Sequence, residues 1–203
     1  MAVRAAATIT FIGLKQGLFT AQGPACCGEV SFADLGVPPD LYATLHPACW
    51  RYTGEDLPAR LPPRSRSAHK GHFGHVLVVG GDLGMAGAAR MTAEAAARCG
   101  AGLVSVATRG DHAGLQAAAR PELMFHGVET ADDLEPLLDR ATVVAVGPGL
   151  GRGHWGRALW QAVLACDKTL VVDADALNLL AVDPVFRDRW ILTPHPGEAA
   201  RLL

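Results

Sequence analysis

From His75 onward the chain alternates short, continuous apolar runs with longer helical stretches, and this alternation restricts the fold more than any other feature. The runs are His75–Val79 (HVLVV), Leu103–Ala107 (LVSVA), Thr142–Val146 (TVVAV), Thr169–Asp173 (TLVVD) and Trp190–Thr193 (WILT). Such runs read as strands buried on both faces, a property of parallel sheets. Parallel neighbours cannot be joined by a hairpin and need a crossover, usually a helix. The spacing supplies helices at Ala86–Cys99, Asp111–Ala119, Asp132–Asp139 and Trp155–Ala165, with a shorter strand expected at Leu123–Phe125. The expected fold class is α/β, a mostly parallel sheet with helices on both faces.

The first 70 residues read differently. Ala7–Phe11 and Glu29–Phe32 are strand-like, and two strands alone do not make a stable domain. From Gly36 to Lys70 come prolines 38, 39, 47, 58, 62 and 63, then Arg64-Ser65-Arg66-Ser67, text that reads as an extended linker without a core. The expected division is 1–45, a linker at 46–69, and the α/β segment at 70–203. At the far end Pro196–Leu203 opens a helix with no Gly or Asn cap and no following Pro. The chain is therefore expected to stop in mid-element.

Composition excludes several classes of partner. Twenty acids against eighteen bases give a net charge of −2, which excludes the basic footprint of a nucleic-acid binder. A hydrophobic fraction of 50% excludes intrinsic disorder. No run approaches the roughly 20 apolar residues that span a bilayer, and Met1–Ala7 lacks the pattern of a signal peptide. The five cysteines show no C-x-x-C spacing and read as reduced thiols. The expectation is a soluble, cytoplasmic protein whose partner is a small molecule, with neither nucleic acid nor membrane.

In an open α/β sheet, ligands gather outside the carboxyl ends of the strands. Gly80-Gly81-Asp82-Leu83-Gly84-Met85-Ala86-Gly87-Ala88 joins a strand to a helix there and reads either as a phosphate or substrate loop or as a plain tight turn. It fits neither G-x-G-x-x-G nor the P-loop. Gly147-Pro148-Gly149-Leu150-Gly151-Arg152-Gly153 has four glycines in seven residues, more than a connection needs, which favours a ligand-facing role. Arg152 reads as a phosphate partner or as a solvated side chain. In Thr193-Pro194-His195-Pro196-Gly197-Glu198 the two prolines hold His195 extended, with Pro196 and Glu198 suited to a helix start. Asp173 and Asp175 are two apart at a strand end, so both carboxylates are expected to face one cleft and orient a magnesium–phosphate unit, or Asp175 to cap the next helix.

Taken in order, these segments resemble the ADP/ATP-dependent NAD(P)H-hydrate dehydratases of the ribokinase-like superfamily. The resemblance rests on Lys70 through Gly81, Gly87-Ala88-Ala89, Gly100 through Val104, Pro121-Glu122, Gly147 through Gly151, Val172 through Asn178, and Thr193 through Glu198. It covers residues 70–203. The stretch before it, with Thr8-Ile9-Thr10-Phe11, Lys15 through Leu18, Gly28-Glu29-Val30 and Asp34 through Pro38, resembles the tail of the NAD(P)H-hydrate epimerase domain fused to many bacterial dehydratases.

The resemblance implies dehydration of hydrated NADH or NADPH at the expense of ADP or ATP with Mg2+, through phosphorylation of the ring hydroxyl. It implies that Ala88, Gly149 and His195 contact the hydrated cofactor, and that Thr10 matches a K+ ligand of the epimerase, whose other residues are absent. The family's lysine-glycine strand and its Gly-Asp loop, source of the expected general-base aspartate, do not occur before Leu203. The chain is accordingly expected to be a fragment of a bifunctional epimerase–dehydratase that binds hydrate without turning it over, and to be a homo-oligomer when intact. The alternatives are a non-catalytic dinucleotide-binding module and a ribokinase-like small-molecule kinase.

Overall fold

The computed structural model describes residues 2–203; Met1, the first residue of the stretch read against a leader, lies outside them. The chain divides into two compact units, one ending at Arg64 and one from Ser65 to Leu203.

In the first unit, β1 (Ala7–Phe11) and β2 (Glu29–Ala33) pair in parallel, with α1 (Gly23–Cys26) between them. The pair leaves Ile9, Phe11 and Phe32 exposed. The proline-rich stretch is not uniformly extended, because prolines near the first helical position nucleate short turns. It forms α2 (Pro39–Ala43), a 3-10 turn at Gly54–Asp56 closed by Thr53 and Asp56, and α3 (Leu57–Arg60). Every residue from 43 to 67 is exposed, so these turns enclose no core.

The second unit is an α/β layer structure. Its elements in order are β3 (His75–Val79), α4 (Ala86–Arg98), β4 (Leu103–Thr108), α5 (Gly110–Ala119), β5 (Met124–Gly127), α6 (Ala131–Arg140), β6 (Val143–Val146), α7 (His154–Ala165), β7 (Thr169–Val172), α8 (Ala174–Val182), β8 (Trp190–Leu192) and α9 (Pro196–Leu202). The strands form one sheet in the order β5-β4-β3-β6-β7-β8, and every pairing is parallel.

Successive side chains on a strand point to opposite faces, and two cores follow. Val78, Val104 and Val106 pack under Ala89 and Ala93 of α4, whose small side chains let that helix lie close to the sheet. Leu77, Val79, Val144, Val146, Leu170 and Val172 point the other way, against α6, α7 and α8. Helix α6 is typical of that layer. A Thr130–Asp133 capping box starts it, and Leu134, Leu137 and Leu138 bury one stripe. On the same face Trp160 meets Trp190 edge to face at 6.0 Å. All five cysteines are free thiols.

Candidate active site

The chain leaves β3 towards β4 and leaves β6 towards β7, in opposite directions, while β3 and β6 are neighbours. This is the topological switch point of the sheet, where a crevice opens at the carboxyl ends of the strands. The two glycine loops meet there. Gly81 N–H donates to Pro148 O at 3.1 Å, and Asp82 N–H donates to Gly149 O at 2.6 Å.

Glycine is required where the loops touch. A Cβ on Gly80 would lie 2.2 Å from Pro148 O, so no side chain fits there. Gly149 has φ +62°, and a Cβ on it would lie 2.8 Å from Met85 O and 3.2 Å from the Cβ of Ala88. Ala88, in the first turn of α4, therefore stands directly against Gly149. Two of the three residues expected to contact a cofactor are brought side by side.

Asp173 and Asp175 bond to different loops. Strand β7 ends at Val172 and Asp173 is still extended, but Ala174 takes φ +48° and breaks the alternation between the two aspartates. Asp175 Oδ2 accepts from Gly151 N–H at 2.9 Å, bracing the second glycine loop, while Asp173 Oδ1 accepts from Thr193 Oγ1 at 2.9 Å, bracing the loop after β8. The N-cap of α8 is Asp173, without a side-chain cap bond, so Asp175 is not the cap. Among the described residues no three His, Cys, Asp or Glu side chains gather to hold a metal ion.

His195 follows β8, two strand spacings or roughly 10 Å from β6. It is the N-cap of α9: its Nδ1 accepts from Gly197 N–H at 3.0 Å, and its backbone N–H donates to Glu198 Oε2 at 3.0 Å. With Nδ1 an acceptor, the proton of the neutral ring is on Nε2, which lies 3.3 Å from Glu198 Oε1. Glu198 is buried, yet the imidazole side chain is 63% exposed. The Gly197 N–H thus sets the tautomer of a ring open to solvent, with the buried Glu198 carboxylate beside its Nε2. Arg152 is exposed, and its carbonyl accepts from Arg157 Nε.

A polar cluster absent from the sequence reading backs the first loop. Arg109, just past β4, donates through Nε to Asp82 Oδ1 at 2.8 Å and through a terminal nitrogen to Glu129 Oε2 at 2.6 Å. Its guanidinium lies 4.6 Å from the centre of the Trp155 ring. Burial opposes the Arg109 charge, but Asp82 and Glu129 outweigh it and raise the pKa above the ordinary value. The Gly110 N–H and then Arg109 hold the Glu129 carboxyl below the usual range. The signal available in the sequence was position alone: Thr108-Arg109-Gly110 also ends a strand.

In the first unit Thr10 is buried, and its Oγ1 donates to Gly13 O at 3.0 Å. Lys15 Nζ already occupies the carbonyl oxygens of Phe11 and Gly13, at 2.9 and 2.8 Å.

The six-stranded parallel sheet with its switch point between β3 and β6 defines a ribokinase-like α/β protein. A superfamily member of that description from Enterococcus faecalis superposes with a TM-score of 0.67 at 29% identity, covering 77% of this chain and 59% of that one. The particular family follows from the sequence: a family profile described as NAD(P)H-hydrate dehydratase matches residues 76–203, and the chain belongs to that family. It is 54% identical over 202 residues to the bifunctional NAD(P)H-hydrate repair enzyme Nnr of Coxiella burnetii, covering 100% of this chain and 41% of that protein. The ADP/ATP-dependent NAD(P)H-hydrate dehydratase of Bacillus subtilis, co-crystallised with ATP/Mg2+, superposes with a TM-score of 0.61 at 30% identity, covering 74% of this chain and 54% of that one. The chain thus spans about two fifths of the length of the curated relatives it matches. Among the described residues no helix is long and apolar enough to cross a membrane.

Proposed function

We propose that the Ser65–Leu203 unit binds hydrated NADH or NADPH in the crevice between its two glycine loops, as the hydrate-binding part of an ADP/ATP-dependent dehydratase. The observation that carries this reading is the contact of Ala88 with Gly149 at the switch point, where two loops bonded to each other bring glycine backbone, the Ala88 methyl group and Met85 together. At the glycines themselves, the missing side chain lets a flat ring approach the backbone closely. His195 stands roughly two strands away, within the span of a dinucleotide, with its ring bonded to Gly197 N–H and beside Glu198.

The chain's own part in the chemistry is to bind and orient. The glycine loops hold the ring, and the imidazole bounds the far side of the crevice as a polar group of fixed tautomer. A nucleoside di- or triphosphate with Mg2+ supplies, when bound, the phosphoryl group that turns the hydroxyl into a leaving group. The family's Gly-Asp loop has no counterpart among residues 1–203, so this chain is proposed to bind hydrate without turnover. Residues 1–45 are proposed to be the tail of an epimerase-type domain.

Calorimetric titration with NADPH hydrate and, separately, with ADP tests the reading. Saturable hydrate binding that Ala88→Leu abolishes by filling the crevice is the expected outcome, and no hydrate binding to the wild-type chain overturns it. Phosphate release from ADP in the presence of hydrated NADH is expected to be absent. Robust release would overturn the proposed division between binding and catalysis.

A further inference from the structure

We propose that Arg109 is a positioning residue for the hydrate site, locking both glycine loops into their ligand-facing shape from the neighbouring strand. The inference rests on the hydrate-binding reading above. Three contacts converge on its guanidinium. The Nε–H goes to Asp82, the residue of the first loop whose own N–H binds Gly149 O. A terminal nitrogen goes to Glu129, in the loop after β5. The flat face stacks on Trp155, two residues past the second glycine loop.

Asp82 is the hub that these contacts fix. Its Oδ1 also accepts from Leu83 N–H at 2.9 Å, its carbonyl accepts from Met85 N–H at 2.8 Å, and its Oδ2 would lie 2.8 Å from a Cβ placed on Gly151. Its carboxylate thus lies between the two loops. Trp155 is pinned in turn, its indole N–H donating to Val128 O at 2.8 Å. The end of β4 gives the first loop a second anchor, since Gly81 O accepts from Thr108 Oγ1 at 2.7 Å.

Only a planar, multidentate cation can serve Asp82, Glu129 and an aromatic face together. A lysine ammonium is a point charge without the fork or the stacking face. Arg109 does not need to touch the ligand: it acts by holding Asp82, and Asp82 holds Gly149.

The test uses the 203-residue chain and three readouts: amide hydrogen exchange, affinity for NADPH hydrate, and melting temperature. In Arg109→Met, exchange is expected to rise in 80–88 and 147–153 while β6 and β7 stay protected, and hydrate affinity to fall about tenfold or more, the scale on which supporting residues act around a site. Asp82→Ala is expected to match it, and the double variant to be no worse than either single one, because the two residues act as one unit. Asp82→Asn keeps the Oδ1 acceptor and is expected to restore most of the affinity. If Arg109→Met does not fold, Arg109→Lys carries the same comparison.

Unchanged loop exchange, or additive losses in the double variant, overturns the proposal. Wild-type binding with undiminished binding by Arg109→Met sinks this inference alone. No hydrate binding to the wild-type chain sinks the hydrate-site reading and this inference with it.

Discussion

Gly149→Ala measures how tightly the two glycine loops are joined, and Gly84→Ala is its control. Both glycines have left-handed backbones, at φ +62° and +80°. A Cβ on Gly84 meets nothing within 4 Å, so that variant carries only the backbone cost, about 1–2 kcal/mol for an L-residue in this region. About half a kcal/mol to one is returned by the stiffer unfolded chain. A Cβ on Gly149 lies 2.8 Å from Met85 O and 2.9 Å from Met85 Cβ, closer than real atoms approach. Relieving such overpacking costs about 1–3 kcal/mol more.

Gly84→Ala is therefore expected to destabilise the unit by about 1 kcal/mol and Gly149→Ala by about 2–4 kcal/mol. The gap of about 2 kcal/mol corresponds to about 6–8 °C in melting temperature for a unit of this size. Urea unfolding followed by tryptophan fluorescence measures both, since Trp155 and Trp160 are buried. Hydrate affinity is expected to fall at least tenfold in Gly149→Ala, because the displaced Met85 and Ala88 form the crevice wall, and to hold in Gly84→Ala. Equal destabilisation by the two variants, within about 0.5 kcal/mol, would refute the claim that the loops are in contact at Gly149.

Two further outcomes follow from side-chain roles. His195→Ala removes an N-cap as well as a ring facing the crevice, so it is expected to lower stability by about 1 kcal/mol and to weaken hydrate binding. His195→Asn restores the cap alone, and calorimetry should show stability recovered and affinity still reduced. The second outcome is a pH dependence. His75 and His126 are held below their ordinary pKa chiefly by burial, and the nearby Arg140 charge opposes protonation of both. His75 Nε2 is also within 2.8 Å of Ser105 Oγ, which is buried. The unfolded chain then binds more protons than the folded one below about pH 6.5. Stability is expected to be full above that value and to fall as pH drops, by at most about 1.4 kcal/mol per pH unit per histidine. His75→Gln should flatten that slope in urea titrations between pH 5 and 7, and an unchanged slope refutes the assignment.

The strands of the second unit were legible because each is apolar on both faces, a pattern with few alternatives at that length. Their order was not. The sequence holds Gly80 and Gly147 more than sixty residues apart, and only the pairing of β3 with β6 makes their loops partners. The aspartate pair shows a different limit. Period-two reasoning needs extended backbone through all three residues, and the left-handed Ala174 breaks it between the two carboxylates. His195 has the extended backbone expected between two prolines, but the contacts of its ring with Gly197 N–H and Glu198 come from the helix start that follows and were not legible. Arg109 carries no such signal, because the end of β4 is not rich in glycine. A lone arginine after β4 shows its role only beside Asp82, Glu129 and Trp155.

The bracing contacts form a connected series across the sheet. Glu129 after β5 binds Arg109 after β4, Arg109 binds Asp82 after β3, Asp82 binds Gly149 after β6, Gly151 binds Asp175 in α8, and Asp173 after β7 binds Thr193 after β8. Every strand-end loop is thus tied to others by hydrogen bonds, and much of that network is backbone or charge-assisted. A crevice held this way is pre-organised: its shape does not have to be assembled by the ligand, and less ordering entropy is lost on binding. The links are unequal, however. Gly149 is locked by a 2.6 Å bond, whereas His195 stands on a loop joined to the series by the exposed Thr193–Asp173 contact. The wall at Gly149 is therefore the part of the series most tightly joined to its neighbour, as recognition of a flat ring would require.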